Sequence, residues 1–234
     1  MTPALACHFN IPCSFEEALA NQECLAREKR GDGVLWNHII LAEHPSVYTY
    51  EPQKGAPESF VRNDDISSLG APLVPVHRGG SMTFHGPGQL VCYFIFHLKE
   101  TGIGAFELNS IIERVFAKFL AQEHKIFSVP KPDHLPPEAS GLWVESADGI
   151  LRKIVSRGLL VGGDGITRFG CALNLSTDLS RFAAIYPCGL DIEMTSVLKE
   201  TGKKADTLDT AYLLTELFGK SMEAFIGQKE RRSS

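Results

Sequence analysis

Residues 90–97 read LVCYFIFH and include the longest uninterrupted apolar run of the sequence. The run combines β-branched and aromatic side chains, and both its odd and its even positions are apolar. This pattern is typical of a β-strand that is buried on both faces. The apolar part is far too short to cross a bilayer as a helix. We therefore expect a central strand here, covered by other elements on each side.

Three segments carry the periodicity of amphipathic helices. The first follows a capping-box pattern formed by Ser14 and Glu17 and should end near residues 31–33. The second places its apolar residues on one face between positions 108 and 119. The third should run roughly from residue 207 to residue 225, with Asp206 as a possible cap.

Further strands are expected on both sides of the central one. Residues 34–41 are strand-like and end before His44-Pro45, because proline lacks the donor that a sheet needs. Residues 153–161 and 166–175 flank a Gly-Gly-Asp-Gly turn and predict a hairpin. The proline-containing stretches 51–72 and 129–138 are interpreted as a surface loop and an irregular connection. Hairpins mixed with helices indicate an α+β fold with a mixed β-sheet and flanking helices.

The composition restricts the class of protein. The chain has 234 residues, 44% hydrophobic and 22% charged, as expected of one large globular domain. A net charge of −5 argues against a general nucleic-acid binder. The first thirty residues carry no secretory or transit pattern, so we expect a cytoplasmic protein with no membrane segment. The six cysteines include no C-x-x-C pair and are expected to be free thiols.

A glycine-rich segment precedes the central strand. Residues 78–89 read RGGSMTFHGPGQ, and glycines let a backbone approach a ligand closely and leave amide groups free to bind oxygen atoms. Arg78, Thr83 and His85 add side-chain donors. The segment is consistent either with a binding loop or with a structural turn. No metal site is expected, because His77 and His85 have no carboxylate or cysteine close in sequence.

Two further residues could carry chemistry. Cys188 lies in a Pro-Cys-Gly turn and is either a nucleophile or another buried thiol. Lys153 lies on a mostly apolar strand, where an unpaired ammonium group would be costly. Next to a cysteine it would stabilise a thiolate and could move a proton, whereas alone it would be a solvated residue at a strand end.

Taken together and in this order, these segments resemble the lipoyl(octanoyl) transferase family, the lipoate–protein ligase B enzymes. The family's R-G-G-x-x-T-x-H-G-P-G-Q loop is matched by residues 78–89, and its P-C-G turn by residues 187–189. Its lysine strand and its H-G-F-A-L-N strand are similar to residues 153–158 and 169–174. Residues 43–49, EHPSVYT, and 141–144, GLWV, match two further family segments, so the resemblance spans about residues 34–200.

The resemblance implies a biotin/lipoate ligase-like fold, with one catalytic domain over residues 1–234, and an acyl transfer that needs no cofactor. An octanoyl group would leave acyl carrier protein and reach a lysine of a lipoyl domain, in 2-oxoacid dehydrogenase E2 subunits or in the glycine cleavage H protein, as the first step of endogenous lipoate synthesis. Cys188 would form an acyl-thioester and Lys153 would move the protons. The implied acyl site comprises Arg78, Gly79, Gly80, Ser81, Met82, Thr83, Phe84, His85, Ser156, Arg157, Gly158, Gly170, Cys171 and Ala172.

The sequence departs from the family pattern at four places. Phe169 replaces the usual histidine, Arg157 an apolar residue and Val155 a small one, while Tyr50-Glu51 stands where the family commonly has a glycine. These departures leave open an altered acyl specificity or a non-catalytic binding protein. An ATP-dependent lipoate or biotin ligase is a further alternative, although residues 78–89 lack the second arginine, the third glycine and the aspartate of the ligase loop.

The charge distribution suggests how an acidic carrier protein could bind. Residues 151–181 contain five basic and two acidic side chains although the whole chain is acidic. We therefore expect a local basic patch that attracts the carrier protein.

Overall fold

The computed structural model describes residues 5–31, 37–63 and 65–233. In chain order the strands and α-helices are β1 (Leu5–Asn10), α1 (Phe15–Gly31), β2 (Asn37–Ala42), β3 (Val47–Tyr50), β4 (Leu73–Pro75), β5 (Met82–His85), β6 (Gln89–Ile95), α2 (Leu98–Thr101), α3 (Ala105–Phe119), β7 (Gly141–Glu145), β8 (Leu151–Arg157), β9 (Leu160–Val161), β10 (Thr167–Arg168), β11 (Gly170–Asn174), α4 (Ser180–Ala183), α5 (Val197–Thr201) and α6 (Thr207–Ser233). Residues 32–36 lie outside the described residues, so the predicted end of the first helix and the first part of the strand 34–41 are not addressed.

A six-stranded sheet with the order β1-β2-β6-β11-β8-β7 forms the centre of the fold. The β1–β2 pair is parallel and the other pairs are antiparallel, so the sheet is mixed. Every residue of β6 is buried, as its continuous apolar run predicts. The mixed sheet with helices on both faces confirms the predicted α+β class.

The two faces of β6 contact different helices. Leu90, Cys92 and Phe94 belong to a core shared with α3 and α6, where the ring of Phe94 lies 5.2 Å from that of Phe218. The alternating residues Val91 and Tyr93 belong to a second core, on the side of α1. The six apolar residues predicted on one face of the second helix are all buried in the first core: Leu108, Ile111, Ile112, Val115, Phe116 and Phe119.

A smaller sheet with the order β4-β3-β5 stands beside the main one and was not predicted. It encloses a third core in which Tyr48, Phe84 and Phe182 pack together. The interpretation of residues 51–72 as a surface loop was incomplete. This stretch contains three 3₁₀ turns, Pro52–Lys54, Pro57–Phe60 and Ile66–Leu69, and it buries Phe60 and Leu69.

The predicted hairpin is present but bent into two pairs of strands. Its inner strands β8 and β11 pair within the main sheet, whereas β9 and β10 form a separate two-stranded ribbon. The change of direction occurs at Gly158 and at Phe169, which has a φ of 57°. Residues 162–165 form the expected turn, closed by the hydrogen bond from Gly162 N to Ile166 O. The bend carries Phe169 away from the regular ladder.

Two predicted helix starts are confirmed. At α1, Ser14 N donates to Glu17 Oε2 over 2.8 Å and Glu17 N donates to Ser14 Oγ over 3.2 Å. At α6, Asp206 Oδ1 accepts from two backbone N–H groups, and the helix continues to Ser233, beyond the predicted end. Across the part of the chain that the structure describes, no helix combines the length and apolarity required to span a membrane.

Candidate active site

Lys153 and Cys188 meet in the interior of the protein. The Lys153 Nζ atom lies 3.6 Å from Cys188 Sγ and donates a hydrogen bond to it. The lysine is fully buried and the cysteine is 8% exposed. A buried lysine amine requires a polar partner, and the Cys188 sulfur is the partner within reach. The pair can exchange one proton between sulfur and nitrogen.

The Cys188 side chain is positioned by the tight turn Pro187–Gly189. Cys188 has a φ of 59° and Gly189 a φ of 74°, both in the left-handed region. The hydrogen bond from Tyr186 N to Phe60 O ties this turn to the 3₁₀ turn Pro57–Phe60, and the bond from Gly189 N to Tyr186 O closes it. A Cβ atom at Gly189 would lie 2.9 Å from Ser81 Oγ, so only glycine fits here. The turn thus holds the thiol through its backbone.

Lys153 lies in the middle of β8, on the main sheet. Its backbone is fixed by hydrogen bonds to Glu193 O and from Thr195 N, and its Nζ lies 6.0 Å from the ring centre of Trp143. The side chain passes over Gly141, where a Cβ atom would lie 3.0 Å from Lys153 Cε and 2.0 Å from a backbone oxygen. The glycine therefore provides the space that the lysine side chain occupies.

A second cation, Arg78, stands beside the pair. A Cβ atom at Gly80 would lie 3.2 Å from Arg78 Nη1 and 3.9 Å from Cys188 Sγ, so the three residues meet at one point. The guanidinium group donates to Gly79 O and to both oxygens of Thr49, while its buried Nε has no partner among the described residues. Burial lowers the pKa of Arg78, and a charge on Cys188 raises it. The arginine adds positive charge next to the sulfur.

A cavity opens beside Cys188, and we call it the acyl cavity. Most sequence-predicted site residues line it: Arg78, Gly79, Thr83, His85, Ser156, Arg157, Gly158, Gly170, Cys171, Ala172 and Cys188. The structure places Met82 and Phe84 elsewhere, in the third core, because residues alternate along β5 and these two face away from the cavity. Gly80 and Ser81 adjoin the Cys188 turn outside the acyl cavity.

Four apolar or aromatic residues of the acyl cavity were missed: Phe15, Val91, Tyr93 and Phe169. The burial of both faces of β6 was expected, but not that one face borders a cavity. Phe169 was noted only as a departure from the family pattern. These side chains make the wall of the cavity largely apolar, which suits a hydrocarbon chain.

A chain of buried hydrogen bonds links the loop 78–89 to the lysine strand. His85 Nδ1 lies 2.7 Å from Gln89 Oε1, and Gln89 Nε2 donates to Asn174 Oδ1 over 2.9 Å. Asn174 Nδ2 then donates to Thr195 O, and Thr195 N donates to Lys153 O. Because the Gln89 amide nitrogen is engaged as a donor, its oxygen accepts from His85 Nδ1. The family motifs that contain Gln89 and Asn174 thus fix the geometry of the site.

Four titratable groups in or beside the acyl cavity are held uncharged near neutral pH, namely His85, Tyr93, His44 and Cys171. Burial lowers the pKa of His85 to about 3, and burial together with neighbouring charges raises the pKa of Tyr93 well above its usual range. The Tyr93 hydroxyl lies 2.7 Å from Nε2 of His44, whose pKa is also lowered by burial. Burial raises the pKa of Cys171 to about 12, so this second thiol stays protonated. Arg78 and Arg157 are the cationic side chains among the residues that line the cavity.

The prediction of a basic patch over residues 151–181 was wrong. Lys153 is buried, and the four arginines of residues 151–181 all have acidic partners. These ion pairs join Arg152 to Asp148 and Glu193, Arg157 to Glu113, Arg168 to Glu23 and Asp164, and Arg181 to Asp178. The charge excess of this segment is therefore neutralised by residues from other parts of the chain.

Glu51, one of the departures from the family pattern, has a structural position. Its carboxylate accepts hydrogen bonds from Gln53 N and Arg78 N and lies 3.1 Å from His77 Nδ1. A carboxylate thus approaches His77 although none is near in sequence. No group of three potential metal-ligating side chains occurs within residues 5–31, 37–63 and 65–233. We interpret Glu51 as an anchor for the start of the glycine-rich loop.

Comparisons with known proteins agree with this geometry. The family model described as lipoyl protein ligase A/B catalytic domain matches residues 14–219. An octanoyltransferase of Bacteroides fragilis (strain YCH46) is 33% identical over 197 residues, which cover 82% of this chain and 86% of the relative. An octanoyltransferase of Bacteroides thetaiotaomicron is 35% identical over 184 residues, covering 76% of each chain.

Solved structures share the fold at low sequence identity. A lipoate-protein ligase A bound with ATP has a TM-score of 0.67 at 15% identity and covers 95% of this chain and 86% of its own. The bipartite lipoate protein ligase of Thermoplasma acidophilum, from a study that includes its E2 lipoyl domain, has a TM-score of 0.62 at 13% identity, with coverages of 95% and 84%. A biotin protein ligase from Aquifex aeolicus has a TM-score of 0.54 at 14% identity, and the match covers 95% of this chain and 71% of the ligase. The predicted biotin/lipoate ligase-like fold is confirmed.

Proposed function

The chain belongs to the lipoyl protein ligase A/B catalytic-domain family and to its octanoyltransferases, and we propose that it carries the octanoyl group on Cys188 between two protein substrates. The donor is the phosphopantetheine thioester of an acyl carrier protein. The acceptor is a lysine of a lipoyl domain, in an E2 subunit or in the glycine cleavage H protein. The proposed site of the reaction is the cytoplasm.

In the first half-reaction, the Cys188 thiolate attacks the carbonyl carbon of the donor thioester. A new bond forms between Cys188 Sγ and the acyl carbon, and the bond between that carbon and the donor sulfur breaks. Lys153, charged at the start, gives its proton to the departing thiolate, which leaves as a thiol. The products are the acylated cysteine and a neutral Lys153. One thioester replaces another, so no ATP is needed.

In the second half-reaction, the amine of the acceptor lysine attacks the same acyl carbon. A carbon–nitrogen bond forms, the bond to Cys188 Sγ breaks, and the neutral Lys153 takes the proton that the amine loses. The thiolate and the charged lysine are restored together. The step converts a thioester into an amide and is downhill.

The observation that carries this proposal is the 3.6 Å contact between Lys153 Nζ and Cys188 Sγ at the mouth of an apolar cavity. A structural thiol needs no buried lysine beside it, and a protein that only binds acyl chains needs neither group. The Arg78 guanidinium supports the same chemistry, because a positive charge next to Cys188 stabilises both the thiolate and the negative oxygen that forms during attack.

The test is to incubate the protein with octanoyl-acyl carrier protein and to measure its intact mass. We expect a gain of one octanoyl group, which is lost when a lipoyl domain is added and then appears on that domain. Cys188→Ala should prevent the adduct, whereas Cys24→Ala, which removes an exposed thiol, should leave it unchanged.

Other outcomes would identify the alternatives. An adduct that persists in Cys188→Ala, or no adduct in the unchanged protein, contradicts the proposal. Tight binding of a lipoyl domain without transfer indicates a binding protein. Transfer that requires free octanoate and ATP, with pyrophosphate release, indicates a ligase.

A further inference from the structure

A second cavity adjoins the acyl cavity, and we call it the polar cavity. The two share three lining residues, Gly79, Arg157 and Gly158. The backbones of the two glycines are in close contact, since a Cβ atom at Gly158 would lie 3.0 Å from Gly79 O. Gly80 also lines the polar cavity, and a Cβ atom there would lie 3.9 Å from Cys188 Sγ. Cys188 lines the acyl cavity, and the polar cavity is bordered by Gly80, which lies beside Cys188.

The geometry of acyl transfer requires two such spaces. The carbon that Cys188 attacks carries a hydrocarbon chain on one side and the leaving group on the other. The acyl cavity has apolar and aromatic walls and suits the chain. The leaving thiol and the group attached to it must extend in another direction, and the polar cavity is the neighbouring space, bordered by Gly80 beside Cys188.

The charges of the polar cavity are already neutralised by the protein. Lys54 Nζ lies 3.3 Å from Glu138 Oε1, and Arg157 Nη1 lies 2.7 Å from Glu113 Oε1. Lys54, Glu138 and Arg157 line this cavity, and each has its partner within the chain. A bound group would therefore meet polar but compensated walls, which favours a neutral, hydrogen-bonding ligand over an ion.

One side chain on this wall lacks a hydrogen-bond partner. Asn109, on α3, lines the polar cavity, and its buried Oδ1 atom has no partner among the described residues. A buried amide oxygen without a partner carries an energetic cost that an N–H group of a ligand would remove. Ser140 adds a hydroxyl group on another part of the wall. The combination suits a chain that contains amide groups.

We infer that the polar cavity binds the amide-bearing thiol arm of the acyl donor, with Asn109 accepting a hydrogen bond from one of its amide N–H groups. This inference rests on the proposed octanoyl transfer and names the part of the donor that the site recognises. The arm places its sulfur next to Cys188, and the octanoyl chain then extends into the acyl cavity.

The test compares two donors that carry the same octanoyl group. S-octanoyl-pantetheine contains two amide groups, and S-octanoyl-2-mercaptoethanol contains none. Loading of Cys188 is followed by intact mass at several donor concentrations. In Asn109→Leu, loading from the pantetheine thioester should fall about three- to tenfold in kcat/KM, the range for one hydrogen bond, while loading from the mercaptoethanol thioester should stay unchanged. Ser140→Leu, which narrows the cavity from another segment, should show the same selectivity.

The matched control is Lys118→Leu, on an exposed position of the same helix, which should leave both donors unaffected. Thermal unfolding of each variant shows whether it folds. An equal loss with both donors, or no loss with either, overturns the inference while leaving the octanoyl transfer intact. A loss confined to transfer onto the lipoyl domain would instead assign the cavity to the acceptor lysine and overturn it. No loading of the unchanged protein by either thioester would contradict the proposed function itself.

Discussion

Lys153 Nζ lies 3.6 Å from Cys188 Sγ although the two residues are 35 positions apart in the chain. The lysine belongs to β8 of the main sheet, and the cysteine belongs to a turn that packs against β5 of the smaller sheet. The reactive pair therefore depends on how the two sheets are joined. Changes that loosen this junction should reduce activity even when they leave both reactive groups in place.

The first prediction concerns the proton carried by Lys153. Lys153→Met keeps an unbranched, buried side chain but removes the ammonium group, so the protein should still fold. Acylation of Cys188 should slow by about 10²- to 10⁴-fold, the usual contribution of a general acid or base. The measurement is the time course of octanoyl adduct formation by intact mass. Lys118→Met, at an exposed site, is the control, and a loading rate that survives in Lys153→Met would show that the ammonium group is not used.

The second prediction concerns the space that Gly141 provides. Gly141 has a φ of 134°, and a Cβ atom there would lie 2.0 Å from Val155 O and 3.0 Å from Lys153 Cε. Gly141→Ala should lower the free energy of unfolding by more than the ~1–3 kcal/mol of backbone strain alone, and it should abolish acylation by displacing the lysine. Urea unfolding and adduct formation measure the two effects.

Gly202→Ala distinguishes the effect of backbone strain from the effect of a steric clash. Gly202 also has a positive φ, 69°, but no atom lies within 4 Å of its missing Cβ. Its replacement should lower the free energy of unfolding by only about 1–2 kcal/mol and leave the acylation of Cys188 unchanged. Equal behaviour of the two variants would mean that the close packing of Gly141 against Lys153 has no role in catalysis.

The third prediction concerns the hydrogen-bond chain that runs through Gln89. Gln89→Leu leaves His85 Nδ1 and Asn174 Oδ1 without their partner inside the protein. Each buried polar group left unpaired costs about 1–3 kcal/mol, so the free energy of unfolding should fall by at least ~2 kcal/mol. Gln53→Leu, at an exposed position, should change it by no more than ~0.5 kcal/mol. Similar unfolding midpoints for the two variants would show that the chain is not needed for stability.

Much of the fold could be predicted because the strongest signals are local. The continuous apolar run of β6 and the spacing of apolar residues in α3 identify a doubly buried strand and an amphipathic helix without knowledge of their neighbours. Strand β1 and the smaller sheet were missed because their strands are short and only three to six residues long. Short strands gain their stability from pairing, which a local pattern does not reveal.

The site was predictable as a set of segments but not as a geometry. The period of two along β5 could have separated Thr83 and His85 from Met82 and Phe84, had residues 82–85 been interpreted as a strand rather than as a loop. The ion pairs of Arg157 with Glu113 and of Arg168 with Glu23 join distant positions. A charge count over neighbouring residues therefore overestimated the free positive charge.

The fourth prediction concerns acid destabilisation. Burial lowers the pKa of His85 to about 3 from an ordinary value near 6.5. Between these pH values the unfolded chain binds a proton at this histidine and the folded protein does not, so the free energy of unfolding falls as the pH falls. The slope that one such group contributes is about 1.4 kcal/mol per pH unit. Urea unfolding at pH 7, 5.5 and 4.5 measures it.

Burial also lowers the pKa of His38, to about 4, and that of His44. Both histidines change the stability in the same direction as His85, so a variant is needed to isolate the contribution of His85. His85→Gln keeps a side-chain donor for Gln89 but cannot be protonated. The free energy of unfolding of this variant should therefore change less steeply with pH than that of the unchanged protein. The difference in slope should correspond to about one bound proton. Parallel slopes would show that His85 is protonated to the same extent in both states.

The fifth prediction concerns acyl-chain length. Phe169 lines the acyl cavity, with its ring 6.5 Å from that of Tyr93, and it stands where the family usually has histidine. Phe169→Ala should enlarge the cavity and favour longer chains. Each further methylene that becomes buried contributes about 0.8 kcal/mol, so two of them should raise the loading rate of a decanoyl thioester relative to an octanoyl thioester by up to about fifteenfold. The control is Phe182→Ala, which removes a ring from the third core without touching the acyl cavity and should leave this ratio unchanged despite a loss of stability. A ratio that is the same in both variants would mean that chain length is set elsewhere in the cavity wall.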